Sequence, residues 1–378
     1  MKVMWITNVP IGYICNTLGL HKATSGGWMD ALMDDLKKIK DIQIILVTTG
    51  VTKETIIVED DAIKSYLLPG GVPSSYNYKL KSNRLAWKHV IDLEKPDLIH
   101  LWGTEYSHGL AAMEMATNIP VVVYIQGLVS VIARYYEAGM DKMELLKSIS
   151  FRDIIKRDWI SAQKKKFISR GITEREILKL AKNVICENQW CRTHCSTLVN
   201  DCKFYSCELN VKDVYYTTDW SQEGMEPCSI MSIASNYPLK GLHMLIKAFD
   251  IVTKRYPQAK LYVPGVPTVP QGGIKNKLKQ SGYSIYIQRL IDQLELVDRI
   301  IFLGSLTAEK MAEWMSKTNV FVMPSAIENH SSSLREAMIV GTPSIASFVG
   351  GIPEVVTHGE NGLLYRFEEY EMLAEYIS

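Results

Sequence analysis

The sequence lacks an apolar run long enough to cross a bilayer, and it lacks an excess of charge of either sign. Its longest apolar run is 119–125, whereas a membrane-spanning helix needs about 20 such residues. Lys and Arg number 42 against 41 Asp and Glu, so the net charge is +1. That balance gives no argument for a nucleic-acid partner. These absences predict a cytoplasmic protein. They leave open an attachment to the inner face of the membrane.

Cysteine is scarce, with seven residues, but five of them fall within 186–207. Cys191, His194 and Cys195 match the paired spacing of a zinc site only loosely, and the other cysteines fit no standard spacing. We therefore interpret the group as reduced thiols that partly pack in the core. A zinc cluster is the less favoured alternative.

Short, continuous apolar runs alternate with helical segments along most of the chain. Uninterrupted apolar strands predict parallel sheets whose two faces are covered by helices. The predicted strands are 3–7, 42–47, 97–101, 120–125, 184–186, 229–234, 260–263, 300–303, 320–323 and 344–347. The predicted helices are 26–39, 82–94, 108–117, 241–254 and 334–340, with a more helical stretch at about 140–200. The fold class is therefore α/β, built from doubly wound sheets.

The length of 378 residues is about twice that of a typical domain. The segment 205–228 has no clear period, and we interpret it as the connection between two domains. The predicted domains are 1–215, on the acceptor side, and 216–378, which would bind a nucleotide. Two such domains facing each other would form a cleft at the carboxyl ends of their strands.

The most informative segment follows the strand at 320–323 and runs through 324–362. Ser331, Ser332 and Ser333 precede the helix 334–340, and serine is a favoured N-cap residue. The free N–H groups at a helix N-terminus attract phosphate. Glu328 lies before this helix and Glu336 lies in its first turns. A phosphate site between two carboxylates suits a nucleoside diphosphate with a sugar on each side.

This segment resembles the GT-B retaining glycosyltransferases of family 4 (glycosyl transferases group 1). The matching strings are Pro-Ser-x-x-Glu-Asn-x-x-x-Ser-Leu-x-Glu-Ala-Met over 324–338, Gly-Thr-Pro-Ser-Ile-Ala-Ser over 341–347, Val-Gly-Gly-Ile-Pro-Glu over 349–354 and His-Gly-Glu-Asn-Gly-Leu-Leu over 358–364. The resemblance implies two Rossmann-like domains facing across a cleft and a nucleotide-sugar donor.

The resemblance also implies roles for individual residues. In the family, the first glutamate of the pair contacts the donor sugar and the second holds the ribose, and these roles fall on Glu328 and Glu336. The rest of the motif would complete the donor site with Asn329, His330, Ser331, Ser332, Ser333 and Leu334.

A second match to the family begins at 238, where Lys240 enters a helix directly after a strand. The resemblance implies that this ammonium neutralises the diphosphate as it leaves. The family usually carries an arginine five residues earlier, where this chain has Ser235. Either another cation replaces that arginine, for which Arg335 is a poor candidate, or donor binding is weaker.

Three positions in the first half also resemble family landmarks. Gly26 and Gly27 precede a helix, and glycine allows the backbone to approach a ligand closely. Gln126 follows a strand where the family usually has histidine, so it is expected to position the sugar without carrying charge. His100 at another strand end has two open interpretations, a packed structural residue and a neighbour of the ligand.

No Asp-x-Asp, P-loop or His-Glu-x-x-His motif is present in the sequence. We therefore expect no metal ion on the diphosphate and no cofactor besides the nucleotide-sugar co-substrate. The expected second partner is a glycan or a lipid-linked acceptor, as in bacterial polysaccharide or glycolipid synthesis. No motif supports nucleic-acid binding.

The segment 152–170 combines seven basic residues with aromatic and aliphatic ones. They include Lys156, Arg157, Trp159, Ile160 and Phe167. Such a helix either binds anionic lipid headgroups or presents a solvated face, and both interpretations stay open.

The sequence leaves open two functions other than glycosyl transfer. They are a catalytically silent module that binds a nucleotide sugar and a sugar-nucleotide epimerase. The sequence also ends at Ser378 inside a predicted helix, which suggests a truncated C-terminus.

Overall fold

The computed structural model describes residues 1–19, 27–59, 63–199, 201–233, 237–265 and 279–378. The chain forms two compact units. Unit 1 contains Met1–Ser130 and Ile168–Asn210, and unit 2 contains Val131–Phe167 and Val211–Ser378.

Unit 1 is built on an eight-stranded sheet. Its strands are β1 (Lys2–Ile6), β2 (Gln43–Gly50), β3 (Ile56–Glu59), β4 (Ile63–Pro69), β5 (Leu98–Trp102), β6 (Val121–Tyr124), β7 (Asn183–Cys186) and β8 (Lys203–Ser206). They lie in the order β3-β4-β2-β1-β5-β6-β7-β8, and the pairings are parallel except for the antiparallel pair β3 and β4. The chain leaves β1 towards β2 and later returns to β1 with β5, so the strand order reverses between β1 and β5.

Unit 2 is built on a six-stranded parallel sheet. Its strands are β9 (Glu226–Met231), β10 (Lys260–Pro264), β11 (Ile300–Gly304), β12 (Thr318–Met323), β13 (Ser344–Ser347) and β14 (Leu363–Tyr365). The order β11-β10-β9-β12-β13-β14 is the doubly wound Rossmann order, with its reversal between β9 and β12. The two sheets confirm the predicted architecture of two Rossmann-like α/β domains.

Helices cover the faces of these sheets. The α-helices of the described ranges are α1 (Gly12–Leu18), α2 (Gly27–Leu36), α3 (Lys81–Glu94), α4 (Ser107–Met115), α5 (Val129–Ile132), α6 (Lys142–Lys147), α7 (Phe151–Lys156), α8 (Ile160–Leu180), α9 (Gln189–Ser196), α10 (Asp213–Tyr216), α11 (Leu242–Arg255), α12 (Gly282–Gln293), α13 (Ala308–Lys317), α14 (Ser332–Val340) and α15 (Tyr370–Ile377). None of them is both long enough and apolar enough to cross a membrane.

The segment 131–167 belongs to unit 2, whereas the predicted boundary assigns it to the N-terminal domain. Its polar groups bond to helices of unit 2. The bonds run from His243 Nε2 to the Ala138 carbonyl (2.8 Å), from the Tyr286 hydroxyl to Glu144 (2.7 Å) and from the Gly282 amide to Asp153 (2.6 Å). The apolar pattern indicates helices here, but it carries no information on which sheet they pack against.

Candidate functional site

The loop between β12 and α14 fixes the position of Glu328. The Ser325 hydroxyl donates to Glu328 Oε1 at 2.7 Å, and the Ser347 hydroxyl donates to the Ser325 carbonyl at 2.5 Å. The Gly351 amide donates to the Glu328 carbonyl at 3.1 Å. Because β13 and its following turn hold both the side chain and the backbone, this carboxylate has little freedom to move.

Two glycines allow the backbone to pack closely around this loop. Gly350 has φ of +55°, and a Cβ atom there would lie 1.7 Å from the Glu328 carbonyl oxygen. Gly241 has φ of +67°, and its Cβ would lie 1.6 Å from the Pro324 carbonyl oxygen. Any other residue at either position would push the loop away, because both the left-handed conformation and the space require glycine.

Lys240 and Glu328 form an ion pair, with Nζ 2.5 Å from Oε1. Lys240 ends the short 3₁₀ turn Pro238–Lys240 just before α11, and its side chain keeps 33% of its surface exposed while that of Glu328 keeps 10%. Burial of Lys240 disfavours its charge, but the Glu328 carboxylate outweighs that effect and raises the pKa of Lys240. The pair thus offers a fixed cation for anionic oxygens beside a carboxylate that can accept hydroxyl donors.

Glu336 lies on α14, where the Tyr215 hydroxyl donates a hydrogen bond to it and Lys212 lies close enough to attract it. Burial is the largest influence, and it raises the pKa of Glu336 to about 7 despite these two neighbours. The carboxyl can therefore change its protonation state near neutral pH.

The serines predicted for the donor site occupy the start of α14. Ser331 is the N-cap, and its hydroxyl accepts from the Leu334 amide at 3.4 Å. Ser332 is exposed at the first helical position and Ser333 is half-buried. Leu334 has its side chain fully buried in the hydrophobic core with Phe321. Only its backbone can face a ligand.

Asn329 and His330 lie between Glu328 and the helix. Asn329 is 5% exposed, and the His330 ring bonds the Arg335 guanidinium at 2.6 Å. Arg335, which lies on α14, is therefore hydrogen-bonded to His330 just before the helix. Ser235, where the family's arginine is missing, lies outside the described residues.

Polar side chains also meet at the carboxyl edge of the unit 1 sheet. Asn8 follows β1, Glu105 follows β5 and Gln126 follows β6, and these three strands are neighbours. A Cβ on Gly103 would lie 2.5 Å from Asn8 Nδ2 and 2.6 Å from Glu105 Oε2, so both side chains close over this glycine. Of the predicted glycines, Gly27 begins α2 in this unit, and Gly26 lies outside the described residues.

The two side chains around Gly103 carry buried polar atoms that have no partner among the described residues. They are both amide atoms of Asn8 and Oε2 of Glu105. Burial raises the pKa of Glu105 to about 7, and the nearby Glu174 carboxylate adds to the effect. Buried polar groups without partners are costly, so a small polar ligand would relieve this arrangement.

His100 is packed against aromatic rings. Its ring stacks on Trp102 with centroids 4.0 Å apart, and burial lowers its pKa to about 3. These contacts favour the interpretation of His100 as a neutral, structural residue.

Several side chains of the basic segment 152–170 are packed or paired within unit 2. Ile160 is 5% exposed, the Phe167 ring lies 4.7 Å from Tyr136, and Lys164 pairs with Glu137 at 2.6 Å. A group of exposed apolar side chains lies on α6 and α7, and α7 overlaps the start of this segment. They are Met143 (57%), Leu146 (64%), Phe151 (66%), Ile154 (60%) and Ile155 (67%). We call these five residues the apolar patch.

Three residues of these sites escaped the sequence pattern. Tyr215 acts through a contact with Glu336 that is distant in sequence, and Asn8 and Glu105 follow strands without any distinctive neighbours. Only the position of Asn8 and Glu105 at strand ends could have indicated them.

The chain thus consists of two Rossmann-like units, and unit 2 carries a lysine–glutamate pair beside a helix N-terminus. Comparison with solved structures agrees on the fold. Sucrose-phosphate synthase from Thermosynechococcus elongatus superposes over 100% of this chain and 88% of its own, with a TM-score of 0.71 and 19% identity. The Anabaena protein HepE in complex with UDP and glucose matches over 100% and 89%, with a TM-score of 0.66 and 16% identity. The chain has the GT-B fold.

Residues 221–378 match the family described as glycosyl transferases group 1. The D-inositol 3-phosphate glycosyltransferase of Streptomyces griseus is 32% identical over 139 residues, which are 36% of this chain and 28% of that protein. The N-acetyl-alpha-D-glucosaminyl L-malate synthase of Bacillus anthracis is 38% identical over 78 residues, 21% of this chain and 20% of that protein. The aligned part of the chain thus spans less than a third of these curated relatives.

Proposed function

We propose that the chain is a glycosyltransferase that moves a sugar from a nucleoside diphosphate sugar to an acceptor hydroxyl. The Lys240–Glu328 pair at the start of α11 and α14 is the observation that carries the proposal. Its ammonium suits the diphosphate and its carboxylate suits the sugar hydroxyls, while Glu336 suits the ribose. The match of 221–378 to glycosyl transferases group 1 supports this assignment of unit 2.

The reaction that we propose proceeds with retention, as in the family 4 enzymes that the 324–362 segment resembles. The bond between the sugar C1 and the leaving phosphate oxygen breaks, and a bond forms between C1 and the acceptor oxygen on the same face. The acceptor proton passes to the leaving phosphate. Lys240 and the N–H groups at the start of α14 stabilise the charge that develops there, so this mechanism needs no metal ion.

A UDP-hexose is the first donor to test. The supporting observation is that HepE, which shares the fold, is described in complex with UDP and glucose. The acceptor that we propose is a glycan or a lipid-linked sugar, from bacterial polysaccharide or glycolipid synthesis.

The pair of side chains around Gly103, Asn8 and Glu105, is our proposed contact for an acceptor hydroxyl. Asn8 offers both a donor and an acceptor there, and neither has a partner among the described residues. Glu105, with a pKa of about 7, can donate as the acid or accept as the carboxylate. One hydroxyl group would satisfy both side chains.

Kinetics of two matched variants test the proposed roles. Glu328→Ala removes the carboxylate beside the reacting sugar, so we expect kcat to fall more than donor affinity. Glu336→Ala removes the ribose contact, so we expect the donor KM to rise more than kcat falls. Equal effects of the two variants on both constants would contradict these roles.

Two rival functions give different products from the same assay. A silent binding module, which Gln126 and Ser235 would favour, binds a nucleotide sugar without releasing nucleoside diphosphate. An epimerase converts one nucleotide sugar into another without an acceptor. Proton NMR of the product distinguishes all three outcomes, and its anomeric coupling reports retention or inversion.

We also propose that the apolar patch on α6 and α7 attaches the enzyme to an anionic membrane surface. The acidic side chains within α6 and α7, Glu144 and Asp153, bond to Tyr286 and Gly282, whereas Asp141 before α6 is exposed. The outer surface therefore combines large apolar side chains with exposed basic ones, which are Lys142, Lys147, Lys156 and Arg157. Apolar side chains beside basic ones are what an interface with anionic lipid requires.

A further inference from the structure

Three cysteines meet where β7 joins α9 in unit 1. Cys186 is the last residue of β7, and Cys191 and Cys195 lie on α9. A spacing of four residues places Cys191 and Cys195 on the same face of the helix. That face is turned inward, since both are 0% exposed, and Cys186 is 3% exposed.

The start of α9 is held in one orientation by its neighbours. Asn188 is the N-cap, and its side-chain oxygen accepts from the Cys191 amide at 2.7 Å. The Tyr124 hydroxyl donates to Glu187 at 2.6 Å, in the turn between Cys186 and the helix. The backbone that carries the three thiols is therefore fixed from both sides of the turn.

The three sulfur atoms all lie within 4.8 Å of one another. Zinc–sulfur bonds of about 2.3 Å in a tetrahedral site place the sulfurs about 3.8 Å apart, so the thiols need only small rotations to share an ion. Among the described residues, no fourth His, Cys, Asp or Glu donor joins this group. The fourth position is left to water or another small donor.

We propose that Cys186, Cys191 and Cys195 bind a thiophilic metal ion, for which Zn²⁺ is the probe. Thiolates are the soft ligands that select such ions over magnesium or calcium. Binding replaces the thiol protons, which pass to solvent, and it ties the end of β7 to α9. This site belongs to unit 1, whereas the Lys240–Glu328 pair belongs to unit 2.

The geometry favours a metal over ordinary core packing. Buried cysteines that merely fill space need not converge, and an aliphatic side chain fills the same volume. Here the side chains come from a strand end and from two successive turns of a helix, yet all three sulfur atoms converge. The sequence spacing alone did not show this, because Cys191 and Cys195 match a zinc pair only loosely and Cys186 fits no standard spacing with them.

Metal content of the full-length, untagged chain tests the proposal. We expect inductively coupled plasma mass spectrometry to find one thiophilic ion per chain after dialysis. Replacing it with Co²⁺ should produce thiolate-to-cobalt charge-transfer absorption. Cys191→Ser should lose both signals, and Cys228→Ser, which changes a cysteine of unit 2, should keep both.

A second measurement keeps the test decisive if Cys191→Ser fails to fold. A strong chelator should lower the Tm of the wild-type chain, and added Zn²⁺ should restore it. Absence of bound metal together with no cobalt absorption in the folded wild-type chain would overturn the proposal. So would a disulfide between two of the three cysteines, or equal metal loss in Cys228→Ser.

Discussion

The protonation of a single carboxyl, that of Glu336, is expected to control donor affinity. Burial raises its pKa to about 7, so it is largely neutral in mildly acidic solution. A ribose diol donates its hydroxyl protons best to the charged form. Donor affinity should therefore rise as pH increases through about 7, by about fivefold to tenfold. Isothermal titration calorimetry with a nucleotide sugar measures this directly.

Glu336→Gln is the control for that titration, because it keeps the shape and removes the ionisation. Its donor affinity should stay flat over the same pH range, since the diphosphate of a nucleotide sugar does not itself titrate there. The free energy of unfolding should change with pH in the opposite direction to donor affinity. A carboxyl whose pKa rises from 4.5 to about 7 on folding makes the folded state less stable as pH increases across that interval. A pH-independent affinity in the wild-type chain would contradict the ribose role.

The ion pair between Lys240 and Glu328 stabilises two partly buried charges and also presents both charged groups to a donor. In the ligand-free chain each charge compensates the burial of the other, which is costly for either alone. In the proposed reaction, a bound diphosphate would give the ammonium a second anion, and a bound sugar would give the carboxylate hydroxyl donors. The site is thus held ready before the donor arrives.

Among the structural elements, the turn after β13 is expected to hold the Glu328 loop in place. Gly350→Ala brings a Cβ to within 1.7 Å of the Glu328 carbonyl oxygen, so the loop must move. We expect a loss of stability of about 2 kcal/mol or more and a clear loss of donor binding. Urea denaturation and calorimetry measure the two effects.

Gly304→Ala is the matched control for this turn. Gly304 also has a positive φ, +72°, but a Cβ there would meet no atom within 4 Å. The Gly304→Ala variant should lose only about 1 kcal/mol of stability, the cost of the left-handed conformation. Its donor binding should be unchanged. If the two variants behaved alike, close packing against Glu328 would not be what the glycine provides.

The sheets could be predicted from the sequence because buried parallel strands are continuous apolar runs. Strands β5, β6, β10 and β13 lie within a residue or two of their predicted positions. Strands β3, β4, β8 and β14 were missed, and β3 is a short edge strand with two of its four side chains exposed. Such a strand forms through its partner's hydrogen bonds, and it has no strong pattern of its own.

The site could be predicted only as far as it is local in sequence. Glu328, Lys240 and the cap at Ser331 follow from a motif and a helix start. The contact of Tyr215 with Glu336 depends on side-chain placement in the folded chain, and the same holds for the three convergent cysteines. Leu334 is the opposite case. The motif includes it, but its side chain is buried in the hydrophobic core.

For the molecule as a whole, membrane attachment is expected to depend on the apolar patch. Replacing Phe151 and Ile155 by serine removes two side chains that are 66% and 67% exposed. Each contributes about 1.5–3 kcal/mol when it leaves water, so the double variant should bind anionic vesicles more than tenfold more weakly. Flotation with phosphatidylglycerol vesicles measures the bound fraction.

The matched control changes two exposed apolar residues elsewhere, Val51→Ser with Ile57→Ser, which are 87% and 52% exposed. This variant should bind vesicles as the wild-type chain does. Binding should also weaken with salt and on neutral phosphatidylcholine, because the basic residues contribute. Equal binding to neutral and anionic vesicles, or equal loss in both variants, would contradict the proposed surface.

The release of nucleoside diphosphate from a panel of nucleotide sugars tests the central claim most directly. The wild-type chain should release it slowly from at least one donor without an acceptor, and faster with a suitable glycan acceptor. Glu328→Ala, folded and still able to bind the donor, should release it at least about tenfold more slowly, a barrier increase of about 1.4 kcal/mol. Donor binding without any release, or conversion of the donor into another nucleotide sugar, would contradict transfer.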